Sequence, residues 1–177
     1  STVHTAGTTG LALLCYLGAG YDSQRPSPFT NTVKNGLKWL KNNQNGEGCF
    51  GSNSNNRFTY AHACATLAMC EAYASTRQPA WKSCAQLGLK YILLCQNPYK
   101  AWRYGVKPGD NDTSVTGWML MALHSGLECG LEVDEGAMRD ALAYVNSMTD
   151  EETGRTGYVQ RGTPPVRPEG QVDKWPA

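Results

Sequence analysis

Charge is the first scarcity of this chain. Only 18% of its 177 residues are charged, 16 basic against 15 acidic, which leaves a net charge near +1. A balance this close to neutral supplies no electrostatic footprint for nucleic acid or an anionic membrane. The small basic group Lys34, Lys38 and Lys41 has helix-surface spacing and marks a solvated face. Long apolar runs are missing too; no stretch reaches the roughly 18 residues that a membrane-spanning helix requires. Strict alternation of apolar and polar residues is also scarce, so nothing reads as a sheet beyond a brief extension at Gly157 to Gln160. GxSxG, HExxH, a Walker loop and GxGxxG with an acidic partner are all absent. Cysteine is plentiful (Cys15, Cys49, Cys64, Cys70, Cys84, Cys95, Cys129), yet no pair has the CxxC spacing of a zinc or redox site. Their number is odd and five lie in apolar helical runs, where a thiol acts as a small hydrophobe. Free core thiols, as in a reducing compartment, are therefore expected rather than a disulfide framework.

What is present repeats. Gly36, Trp39, Leu40, Gln44 and Phe50 recur as Gly88, Tyr91, Ile92, Gln96 and Trp102, and in worn form as Ala141, Tyr144, Val145 and Tyr158. The anchors Trp39, Tyr91 and Tyr144 are 52 and 53 residues apart, the signature of a repeat architecture. A second series runs through apolar segments: Gly10, Cys64 and Gly117 correspond, as do Leu13, Leu67 and Leu120. These segments, Thr9 to Ala19, Ala61 to Ala74 and Val115 to Leu123, are apolar nearly all round, and a helix without a polar face must be covered on every side. Between them lie amphipathic stripes: Phe29, Val33, Leu37 and Leu40; Trp81, Cys84, Leu87, Tyr91 and Leu94; Met138, Ala141, Leu142, Val145 and Met148. The last follows Asp134, a good N-cap.

The expected fold is all-α, an α/α toroid segment of three helical hairpins. Inner helices are placed near 5–20, 57–75 and 111–128, outer ones near 29–43, 79–95 and 134–148. The length suits one domain, 1–177, with a Gly- and Pro-rich tail from 149. Three hairpins leave apolar flanks open, since each unit of a repeat array hides its sides against neighbours. Self-association or further repeats in a longer parent chain are therefore expected, as is an excised piece, because the chain stops at Lys174 to Ala177 without a closing element.

The pattern Gly36-x-x-Trp39-Leu40-x-x-x-Gln44-x-x-x-Gly48-x-Phe50 resembles the QW repeat of squalene and terpenoid cyclases, whose α/α toroid is shared by protein prenyltransferases. The second copy has Lys100 in place of Gly; the third has Thr149 in place of Gln and ends at Gly157-Tyr158. The resemblance implies a structural role for Trp39, Gln44, Phe50, Tyr91, Gln96 and Trp102, the Gln amide bonding a neighbouring outer helix. It also implies an inner-helix cavity that handles a hydrophobic, isoprenoid ligand. Asp110-Asn111-Asp112-Thr113 resembles the acidic DxDDT box with which class II cyclases protonate an olefin, and so names Asp112 and Asp110 as catalytic candidates. Asn111 stands at the usual proton donor, and an amide cannot protonate an alkene. The alternative is that Asp112 or Thr113 caps a helix.

Tyr60, His62, Glu71, Tyr73 and Trp118 are the polar or aromatic residues of the inner helices and the candidates for lining a pocket. His62 and Cys64 point to different faces, so no converging zinc set is evident. No cofactor is expected, zinc or magnesium being the alternatives. Two function classes stay open: a cyclase-like or prenyltransferase-like protein with a hydrophobic small-molecule ligand, and a non-catalytic toroid serving as binding or scaffold module of a larger protein.

Overall fold

A computed structural model describes residues 4–54 and 58–161. The fold is all-helical: α1 (Thr5–Gly18), α2 (Thr30–Asn42), α3 (Phe58–Thr76), α4 (Pro79–Cys95), α5 (Thr113–Glu128) and α6 (Glu135–Met148). The only extended pairing among the described residues is two isolated bridges, Gln44 with Phe50 and Thr149 with Thr156. No described helix is long and apolar enough to cross a membrane.

The helices form three hairpins in two layers. α3 packs against α1 on one side and α5 on the other, while α2, α4 and α6 cover them from behind. The inner three run parallel and in step: Gly7 meets Ala61 and Gly10 meets Ala65, Tyr60 bonds Ser114 and Glu71 bonds Ser125. Glycine sets the α1–α3 approach, because a Cβ on Gly10 would lie 2.8 Å from the Cys64 carbonyl oxygen. Parallel order also sends the three C-termini to one end of the molecule.

Only the central helix meets the expectation of cover on every side. Residues 61–70 of α3 are buried without a break, whereas α1 exposes Leu11 and Cys15 and α5 exposes Met121 and Leu127. Among the described helices, α1 and α5 have an inner-layer neighbour on one side alone.

The outer stripes also need correction. Val33, Leu37 and Leu40 of α2 are buried as expected, while Phe29 stays largely exposed before the helix, against Tyr16 and Tyr21. On α4, Leu87 and Leu94 face solvent, and the buried face runs through Trp81, Cys84, Ala85, Gly88, Leu89, Tyr91, Ile92 and Cys95. On α6, Leu142 is exposed and Tyr144 takes the buried side with Ala141. Close approach is the reason. A Cβ on Gly88 would lie 2.7 Å from Thr66 Oγ1, so small residues occupy the centre of the α3–α4 contact and the large aliphatics fall beside it.

The repeat turns hold the hairpins together. Gln44 Nε2 donates to Gly48 O at 3.0 Å in its own turn and to Cys84 O at 2.9 Å on α4. Gln96 Nε2 does the same with Lys100 O at 3.2 Å and Ala137 O at 2.9 Å on α6. Each amide thus ties one hairpin to the next outer helix. The ring at the end of the turn goes inward, and Trp102 Nε1 donates to Ile92 O at 2.8 Å. Trp39 is half-buried; Tyr91 is buried.

In the third turn the aromatic place belongs to Thr156, not Tyr158. Asp150 N bonds Arg155 O just as Asn45 N bonds Cys49 O and Asn97 N bonds Ala101 O, which aligns Thr156 with Phe50 and Trp102. Thr149 and Thr156 bond each other through their hydroxyls at 2.9 Å, so the long inter-hairpin amide is lost. The segment after α6 nevertheless folds back, with Thr113 N donating to Tyr158 O at 3.0 Å. The remainder of the Gly- and Pro-rich tail lies outside the described residues.

Candidate functional site

Two concave regions lie at opposite ends of the inner layer. The larger is a groove of about 770 Å³ between the C-terminal halves of α1, α3 and α5. Leu11 and Leu14 form one wall, Leu67 the floor, and Trp118 and Met121 the other wall. Leu11 is 42% exposed and Met121 52%, so apolar surface faces open space here instead of filling the core. Such surface carries a hydrophobic cost unless something covers it.

The groove turns polar toward the helix ends. Glu71 Oε1 accepts from Ser125 Oγ at 2.7 Å, which fixes the carboxylate between α3 and α5. His124, Glu128 and Arg77 complete that end. Arg77 Nη1 donates to the Cys129 carbonyl at 2.6 Å, and its guanidinium stacks 5.2 Å from the Tyr73 ring centroid.

The second region surrounds the N-terminus of α5. Asp112 is fully buried and caps the helix, with Val115 N donating to Oδ1 at 2.8 Å. Tyr158 Oη donates to Oδ2 at 3.1 Å, and Tyr104 Oη lies 2.7 Å from Tyr158 Oη, so a hydroxyl chain ends on the carboxylate. Arg103 Nε stands 3.7 Å from the same oxygen, and its other side bonds the more exposed Asp110. Burial raises the Asp112 pKa, against the opposing pull of the Val115 amide, the Tyr158 hydroxyl and Arg103. Burial likewise pushes Tyr60 up to about 12, its hydroxyl donating to Ser114. Tyr60, Arg103, Tyr104, Ser114 and Tyr158 border a hollow of about 500 Å³, and the buried Tyr144 hydroxyl beneath has no hydrogen-bond partner among the described residues.

No protein-family model, curated protein or solved structure matches this chain. The geometry is therefore the ground for any functional reading.

The candidate residues scatter accordingly. Glu71 and Trp118 share the groove, whereas Tyr60 belongs to the tyrosine cluster at the far end. Tyr73 sits outside the groove, half-buried under Arg77. His62 is core: its Nδ1 accepts from Phe50 N at 3.2 Å, and Nε2 faces the Gly88 carbonyl at 3.1 Å, which selects the Nε2–H tautomer. With both nitrogens engaged, by the Phe50 amide and the Gly88 carbonyl, His62 lines neither of the two hollows. The structurally matching bond in the next hairpin runs from Trp102 N to Thr116 Oγ1 at 3.3 Å, so His62 replaces a threonine of the repeat.

Asn111 is also committed elsewhere. Its Oδ1 accepts from Asn97 Nδ2 at 3.0 Å and Ala101 N at 3.1 Å, holding the second repeat turn closed. All seven thiols are free and six are buried; burial raises Cys49 and Cys64 to about 11 and Cys95 to about 12. No group of three or more His, Cys, Asp or Glu side chains that could hold a metal ion occurs among the described residues.

Sequence reasoning missed Leu11, Leu14, Met121, His124 and Arg77 as groove residues. The first three carried a signal, the all-round apolar character of α1 and α5, but it was assigned to burial. Arg77 follows α3 in a left-handed conformation (φ 54°), and periodicity does not foresee where such a residue points.

Proposed function

We propose that the chain is a cyclase-like or prenyltransferase-like helical-repeat protein, part of an α/α toroid, that binds an apolar isoprenoid-class ligand in the inner groove without acid-initiated cyclisation. The observation that supports this reading is the position of the groove: exposed Leu11 and Met121 and half-buried Leu14 and Trp118 line a hollow between three parallel inner helices. Its volume falls within the roughly 300–1,000 Å³ usual for small-molecule sites.

The acidic box argues against cyclisation. Trp118, the groove residue on α5 nearest to Asp112, is six residues further along, about 9 Å at 1.5 Å per residue. Proton transfer needs hydrogen-bond reach, about 3 Å. Asp112 already spends its oxygens on a helix cap and a tyrosine, and Asn111 carries no acidic proton.

Thermal unfolding in the presence of farnesol tests the reading. Ligand that binds the folded state alone raises Tm with concentration, and Met121→Arg, placing a charge on the groove wall at an exposed site, abolishes the rise. No shift at saturating farnesol refutes ligand binding and leaves the scaffold-module alternative.

A further inference from the structure

We infer that the groove selects a long-chain amphiphile with a cationic head group, such as an alkylammonium, over a diphosphate or other anion. This rests on the groove reading above and adds the chemistry of the head. The apolar walls end where α1, α3 and α5 all reach their C-termini, at Gly18, Thr76 and Glu128. Parallel order therefore brings three negative dipole ends to one end of the groove, and cations are stabilised there.

The side chains add to that field. Glu71 and Glu128 set two carboxylates against one guanidinium, that of Arg77. Arg77 is drawn to the rim by the Cys129 carbonyl and the Tyr73 ring, where it compensates the end of α5. Glu71 is held by Ser125 through Oε1 and lines the groove near its polar end. An ammonium at this point meets a carboxylate, which attracts cations, while the Trp118 ring lines the groove further toward the start of α5. A phosphate meets two carboxylates and the negative ends of three helix dipoles. Among the described residues Arg77 is the one guanidinium of the groove, and it is engaged by the Cys129 carbonyl and the Tyr73 ring. The other groups that could attract an anion near the inner helices, Arg103 and the N-terminus of α5, lie at the opposite end of the inner layer and are occupied by Asp110 and Asp112.

Titration calorimetry with three twelve-carbon chains, kept below their micellar concentrations, separates head from tail: dodecyltrimethylammonium, dodecanol and dodecyl phosphate. The ammonium is expected to bind at least about tenfold more tightly than the phosphate, the scale of one charged hydrogen bond or ion contact. Glu71→Gln, which preserves the acceptor for Ser125, should remove about tenfold of that preference by weakening the ammonium more than dodecanol or the phosphate. Equal affinities, or a tighter phosphate, overturn the head-group inference while the groove reading stands. Failure of all three chains to bind, or binding that survives Met121→Arg, overturns the groove reading itself.

Discussion

A buried histidine that stays neutral makes stability depend on pH, and His62 is placed to show it. Complete burial lowers its pKa from 6.5 to about 4, the Gly88 carbonyl opposing the shift only in part. The folded state thus binds no proton on His62 between those values, whereas the unfolded chain does. A group with a depressed folded pKa contributes fully above 6.5 and loses its contribution as pH falls toward 4. The difference corresponds to about 3 kcal/mol across that window, a slope near 1.4 kcal/mol per pH unit. Urea unfolding followed by circular dichroism at pH 7, 6, 5 and 4 measures it. The informative variant is His62→Thr, because Thr116 accepts the matching amide in the next hairpin. It should be less stable at pH 7, having lost ring contacts to Phe50 and Tyr91, and should gain on the parent protein as pH falls. Asp22, whose pKa is lowered by Arg25 and Gln24 amides against desolvation, contributes an acid limb common to both proteins. Parallel curves for parent and variant, or a His62 ring that titrates near 6.5 by NMR, would refute the reasoning.

Three further outcomes follow from the packing. Gln44→Met and Gln96→Met keep the side-chain length but lose two hydrogen bonds each, and should cost about 1–2 kcal/mol apiece in urea unfolding, whereas Thr149→Val should cost less than about 1 kcal/mol. Gly10→Ala and Gly117→Ala, at positions that the sequence repeat aligns, should differ in sign: the first forces a Cβ against the α3 backbone and destabilises by about 1–3 kcal/mol, while the second meets nothing within 4 Å and stabilises by up to about 1 kcal/mol. Of seven thiols only Cys15 is exposed, so Ellman's reagent should react with one thiol in the folded protein and with the other six only on unfolding.

Much of the fold was legible because it repeats. The 52- and 53-residue spacing of Trp39, Tyr91 and Tyr144 located all six helices to within a few residues, and glutamine at fixed distance marked the turns that join hairpins. The candidate site was far less legible. Periodicity identifies an apolar face but not what lies against it, so Leu11 and Met121 looked like core until the inner layer proved to be open on one side. The stripe on α4 erred for a related reason: hydrophobicity weights Leu87 and Leu94, whereas helix approach is set by Ala85 and Gly88.

By itself, then, the order of residues determined local conformation and the repeat length, because these depend on spacing along the chain, whereas the bonds of Gln44 to Cys84 and Gln96 to Ala137 cross to the next hairpin. The tertiary structure alone decided that His62 is sealed between α3 and α4, that the capping Asp112 lies away from the groove, and that Glu71 bonds Ser125 in a groove ending at three helix C-termini. Those relations depend on residues far apart in the chain, and their electrostatics follow from distance and burial, quantities that a linear pattern does not contain.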